Sequence, residues 1–224
     1  MDLLEQCMQI LKPNIEKYFA IDKSGHDLEH LYRVKNNALF LQSKEGGDKL
    51  VIALSSLLHD IHRIMSIDFN RYVTPQESIT KVQEFLNLLP IKEEQKQHIC
   101  FAISHHEEYN FGQEKVSVTD IESLILQDAD NLDAIGAIGL LRTLQYGVSH
   151  NIKIYEKDTP LFYDTYSEQK NANETTIQHI HNKLLRLPEN MNTKTAKILA
   201  TKRNKIMETF VNQFIDEWNG NFEN

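Results

Sequence analysis

The chain is short of several things. Among 224 residues there are only two cysteines, Cys7 and Cys100, one tryptophan, five prolines and eight glycines. Two distant cysteines with no CxxC pair exclude a disulfide framework and a thiolate metal cluster, and fit a reducing compartment. Positive charge is also scarce. Lys and Arg number 24 against 32 acidic residues, a formal charge of -8, which argues against a general nucleic-acid surface because such a surface must neutralise phosphates. No apolar run is expected to span a bilayer and no apolar leader opens the chain, so a cytoplasmic protein without membrane contact is expected. Too few glycines and prolines are present to punctuate many short strands.

What is there reads as all-α, because the 41% of hydrophobic residues recur at helical spacing and suffice for one sizeable core. Leu3, Leu4, Met8, Ile10 and Leu11 suggest a first helix that Pro13 bends or restarts. Leu31, Val34, Ala38 and Leu41 form the core stripe of a second, following Ser24-Gly25. Further helices are expected across 49–66, 75–89, 92–107, 117–147, 173–187 and 193–218, while 148–172 reads as an irregular loop or lid. The whole is expected to be one domain: a core over about 24–147, the loop, and C-terminal helices over 173–218 packing back on the core.

Polar residues interrupt this pattern in three places. His26, His30 and Arg33, four and three residues apart, would form one stripe bordering the core. In SLLHDIHRI, His59 and Asp60 sit in an apolar run, opposite the face made by Leu54, Leu57, Leu58 and Ile61; His62 points toward the apolar side if the helix is continuous. In LILQDADNLDAIGAIGLLR, Asp130 and Asp133 share a helical face and Asp128 points away. Charged or polar groups buried alone are costly, so these must be paired or bound. A His on one helix, a His-Asp pair on a central helix and an Asp on a later one make a mixed N/O set suited to a first-row divalent ion with positions left for water and substrate. The His105-His106 pair ends a helix, either capping it or reaching the same site. Arg142 follows Asp130 by twelve residues and reaches its vicinity only if the AIGAIG stretch breaks the helix.

GHDLEHLYRV at 25–34, LLHDI at 57–61 and QDADNLDAIGAIGLLR at 127–142 resemble the HD-domain metal-dependent phosphohydrolases, whose signature is H…HD…D on separate helices. With IYEKDTPL at 154–161, TIQHIHNKLLRL and RNKIMETFVNQFIDEW, nearly the whole chain is similar to a bacterial branch of small single-domain HD proteins that includes nucleotide pyrophosphohydrolases. The resemblance implies His30, His59, Asp60 and Asp130 as ligands of one divalent ion (Mn, Mg, Fe, Co or Ni). It implies His26, Asp27, Arg33 and Arg142 as substrate-facing groups, and Asp60, Asp133 and His105 as candidates for catalysis. It further implies hydrolysis of a small phosphorylated substrate, a nucleoside triphosphate cleaved to monophosphate and pyrophosphate, by a monomer or homodimer. Relatives carry an acidic residue three places after the HD aspartate, whereas this chain has Arg63. That departure keeps other readings open: another HD phosphohydrolase (monophosphatase or phosphodiesterase), a nucleotide- or metal-sensing module without turnover, or a di-iron oxygenase of HD architecture.

Overall fold

The structure, a computed structural model, describes residues 1–22, 25–107, 118–157 and 175–221. Among these there is no strand. The chain forms two compact units, Met1–Asp130 and Asn131–Asn224.

The first unit is built on helices α1 (Leu3–Phe19), α2 (Leu28–Glu45), α3 (Lys49–Leu58), α4 (Ile61–Phe69), α5 (Ile79–Leu86) and α6 (Glu93–Ser104), with a 3-10 turn at Gln76–Ser78. Helix α7 (Ile121–Asp133) leads out of it. Asp2 starts α1 through a capping box with Glu5, and the helix then runs unbroken through Pro13, where a bend or restart was expected. Asp27 caps α2 by accepting from the His30 backbone N–H at 2.9 Å, and Asp48 caps α3 by accepting from Leu50 and Val51. Such caps contribute about 1 kcal/mol each.

Helix α3 is the axis of this unit. Every residue from Leu50 to Leu58 is buried, and α1, α2 and α6 pack around it. Burial of one such Leu or Ile contributes roughly 1.5–3 kcal/mol. Ser55 and Ser56 fit the all-buried helix because their hydroxyls donate to the carbonyls of Val51 and Ile52, at 2.7 and 2.8 Å. The 21 residues Lys49–Phe69, with a mean hydropathy of 1.3, are apolar and long enough to cross a membrane, which corrects the expectation that no run would be; 78% of the apolar window is buried in the protein, as a core helix requires.

The helix expected over 49–66 is two. It breaks at His59-Asp60, where Asp60 takes φ -90 and ψ 13, and α4 begins at Ile61. The segment expected over 117–147 also divides, at Ala134-Ile135, between α7 and α8 (Gly136–Ser149). Two glycines make that break possible. Gly136 has φ 78, and a Cβ on Gly139 would lie 2.2 Å from the Ala134 carbonyl oxygen.

In the second unit α8 packs with α9 (Thr176–Asn182) and α10 (Lys194–Asn219), and a 3-10 helix at Leu184–Asn190 joins the latter two. Thr175 opens α9 with a capping box to Gln178, and Thr193 caps α10. Residues 158–174, most of the expected lid, lie outside the described residues.

Candidate metal centre

The break after α3 shapes the site. A short break at His59-Asp60 puts His59 at the end of α3, Asp60 in the gap and His62 and Arg63 on the first turn of α4, all in one neighbourhood. Helix α2 brings His30, and α7 brings Asp130. His30 Nε2 lies 3.2 Å from Asp60 Oδ2 and 3.5 Å from Asp130 Oδ1, while His59 Nε2 lies 3.6 Å from Asp60 Oδ1 and 3.7 Å from Asp130 Oδ1. Two donors each about 2.1 Å from one ion lie roughly 3.0–3.4 Å apart at octahedral or tetrahedral angles, so each of these imidazole–carboxylate pairs is within a few tenths of an ångström of the spacing that a shared ion sets.

The residues fit a metal on a second ground. His59 Nδ1 bonds the Ser56 carbonyl at 2.9 Å. A carbonyl only accepts, so a hydrogen is on Nδ1, and Nε2 is the atom turned toward the carboxylates, where the deprotonated ring would offer its lone pair to an ion. That Nε2 is buried and makes no hydrogen bond. Leaving such an atom unmet costs about 1–3 kcal/mol, which a bound ion removes.

The electrostatics favour positive charge at this point: burial alone would lower the His59 pKa, but the Asp60 and Asp130 carboxylates raise it to about 9, so without an ion the ring carries a second proton, which a bound metal would displace. Asp60 and Asp130 are held well below the ordinary carboxylate value: burial opposes ionisation, and the neighbouring imidazoles outweigh it. His26 contributes as a neutral ring, its pKa pushed down to about 4 by burial despite Asp60. Since ionised Asp60 can only accept, His26 Nδ1–H donates to its Oδ2, at 2.7 Å, and fixes the carboxylate. His26 precedes α2 rather than lying on its stripe, because Asp27 is the helix cap.

A further carboxylate, Glu107, reaches the cluster from the turn that follows α6. Glu107 Oε1 bonds the Arg63 guanidinium and lies 3.3 Å from His62 Nε2, and Glu107 Oε2 accepts from the Tyr72 hydroxyl at 2.8 Å. Its carboxylate is kept ionised to low pH: burial works against this, and His62 and Arg63 prevail. His62 is therefore part of the cluster, which corrects its expected placement on the apolar side; the break at Asp60 turns it. Of the His105-His106 pair, His106 enters the cluster, its ring 5.1 Å from that of His59. His105 instead lies against Phe101, ring centroids 4.4 Å apart, with Nδ1 bonding the Phe101 carbonyl. Sequence reasoning missed Glu107; the run His105-His106-Glu107 at the end of a helix was the available signal.

Asp133 and Arg142 are brought together with each other, at 3.0 Å in the second unit. The chain break at Gly136 makes that pair possible. Arg33 lies half-buried on α2, three residues beyond His30. Asp128 is fully buried.

Comparison with known proteins places this site in a class. Residues 27–135 match the HD domain family. An HD-superfamily hydrolase from Bacillus thuringiensis is 32% identical, with a TM-score of 0.72 over 97% of this chain and 99% of that one. A Lactobacillus plantarum protein is 31% identical with a TM-score of 0.77, again over 97% of this chain and 99% of the other. The chain belongs to the HD superfamily of metal-dependent phosphohydrolases. Within that superfamily it is also similar to Bacillus subtilis YpgQ, whose crystal structure in complex with ADP is 27% identical with a TM-score of 0.71 over 97% of each chain.

Proposed function

We propose that this protein hydrolyses a nucleoside triphosphate to the monophosphate and pyrophosphate, with a divalent ion held by His30, His59, Asp60 and Asp130. The observation that carries the reading is the convergence of two imidazoles and two ionised carboxylates from α2, the α3–α4 break and α7, each imidazole Nε2 lying 3.2–3.7 Å from an oxygen of both carboxylates. The ADP bound to YpgQ supports a nucleotide as the ligand class. An ion there lowers the pKa of a bound water and offsets charge on a phosphoryl oxygen.

The chain's own residues supply orientation and charge. His26 and Arg63 hold the Asp60 carboxylate from opposite oxygens, Oδ2 and Oδ1. The Ser56 carbonyl sets the His59 ring. Arg33, one turn beyond His30, is the proposed cation for the phosphates, which this acidic chain would otherwise repel. Water adds to the α-phosphorus as the bond from that phosphorus to the bridging oxygen breaks, and pyrophosphate leaves with that oxygen.

The test is product analysis by ion-exchange chromatography and phosphorus NMR, with purified protein, Mn, Co or Mg, and a nucleotide panel. Monophosphate and pyrophosphate in equal amounts are expected from a triphosphate. Free phosphate from a monophosphate would identify a phosphatase instead, and no product with any ion would identify a sensing module.

A further inference from the structure

We infer that His62, His106 and Glu107 form a second cation site beside the first, taking a first-row transition ion. Both histidines are buried, at 0% and 3% exposure. Their Nδ1 atoms are engaged by backbone carbonyls, His62 with His59 at 3.1 Å and His106 with Ile103 at 2.7 Å. A carbonyl only accepts, so each ring holds a hydrogen on Nδ1, and Nε2 is the atom left to face the cluster, able to offer a lone pair to an ion. Neither Nε2 makes a hydrogen bond, and both lie with Glu107 Oε1 in one group whose donor atoms are all within 4.8 Å of each other. Two unmet buried nitrogens facing one carboxylate call for a common ligand.

Glu107 can serve although Arg63 and Tyr72 already bond it. A carboxylate has about four lone-pair positions, and ligating carboxylates are ordinarily held by outside donors. Two imidazoles and one carboxylate suit Zn, Fe, Co or Ni better than Mg or Ca. The site adjoins the first, since His106 also groups with His59 and Asp60. It has a use there: a triphosphate carries more negative charge than one divalent ion neutralises, and the chain's net charge of -8 offers little else. The occupancy of this site does not depend on which substrate the first site serves.

The test counts ions on metal-free, full-length protein loaded with Co, by equilibrium dialysis with elemental analysis and visible absorption. Two Co per chain are expected for the parent, and one for Glu107→Gln or His62→Asn. Asp130→Ala should also retain one, now at the second site, and Asp130→Ala with Glu107→Gln none. With Mg as the sole ion only one should bind. Should His62→Asn lose its circular-dichroism signal, the nearly isosteric Glu107→Gln carries the test. A parent that saturates at one Co, unchanged by Glu107→Gln, would overturn the proposal and leave a bridging water between the two nitrogens. One Co lost with Glu107→Gln but none with Asp130→Ala would instead remove the first-site assignment and keep the second.

Discussion

The guanidinium Nε of Arg63 lies 3.3 Å from Oδ1 of Asp60, one turn back on the chain, while its Nη2 bonds Glu107 on the far side of the cluster. Arg63 thus ties a proposed ligand to the Glu107 carboxylate. Arg63→Met keeps the side chain's bulk and removes both ties. Loss of a group that orients a ligand typically weakens metal binding about 10–100-fold. Competitive chelator titration should show that loss with the helical signal intact, since Arg63 is one-third exposed. An unchanged Kd would make Arg63 a surface ion pair only.

Gly139 permits the turn between α7 and α8. Gly→Ala inside a helix ordinarily stabilises by roughly 0.5–1 kcal/mol. Here the added Cβ meets the Ala134 carbonyl at 2.2 Å, so the backbone must move. Gly139→Ala is expected to reverse the sign and cost about 1–3 kcal/mol. Each kcal/mol should lower Tm by roughly 2–4 °C for a chain of this size, and a raised Tm in calorimetry would contradict the assignment.

Asp48 gives a pH dependence. Burial alone would raise its pKa, but the Gln95 amide, the backbone N–H groups of Val51 and Leu50 and His98 together lower it. A carboxyl depressed in the folded state contributes stability that is present above its ordinary value of 3.8 and is lost as the pH falls through the folded value. The parent should therefore lose more stability than Asp48→Asn between neutral pH and about pH 3 in denaturant titrations. Parallel curves would show that the cap works without its charge.

The clustering of the proposed ligands was legible because their spacing survives in sequence: His30 four residues after His26, the adjacent His59 and Asp60, and Asp130 inside an apolar helix. The all-α class followed from periodicity for the same reason. The breaks were harder. Helical periodicity continues through His59-Asp60 because Leu58, Ile61 and Ile64 keep the apolar face, so the break at Asp60 that turns His62 into the cluster leaves no compositional trace. At Gly136 the glycines did mark a break, and Arg142 accordingly doubles back to Asp133. Glu107 was marked in the sequence only by the run His105-His106-Glu107, and its place in the cluster depends on contacts with α4, 44 residues earlier.

Arg33→Ala should raise KM for a triphosphate and lower kcat, because a cation on the phosphates acts in both the ground and transition states. Its position supports this, half-buried three residues beyond His30 on α2. Metal content should be unchanged. Parent-like kinetics, or loss of the ion, would make Arg33 structural.

Asp128 and Asp130 offer the sharpest discrimination, since both are acidic, two residues apart and on one helix. Asp130 Oδ1 lies 3.5 and 3.7 Å from the Nε2 atoms of His30 and His59, whereas no grouping of potential ligands among the described residues includes Asp128. Asp130→Ala removes a charge and a coordination position, so binding at the first site should fall at least 100-fold, the order expected from losing more than an orienting contact. Folding should survive, because a pocket lined by polar groups can take up water. Asp128 is fully buried, so Asp128→Ala should cost stability, about 1–3 kcal/mol or more if its partners are left unmet, and retain the ion. Isothermal titration with Mn alongside thermal melts separates the two. A variant at 128 that loses the ion, with 130 retaining it, would show that the acidic cluster turns its other face to the histidines.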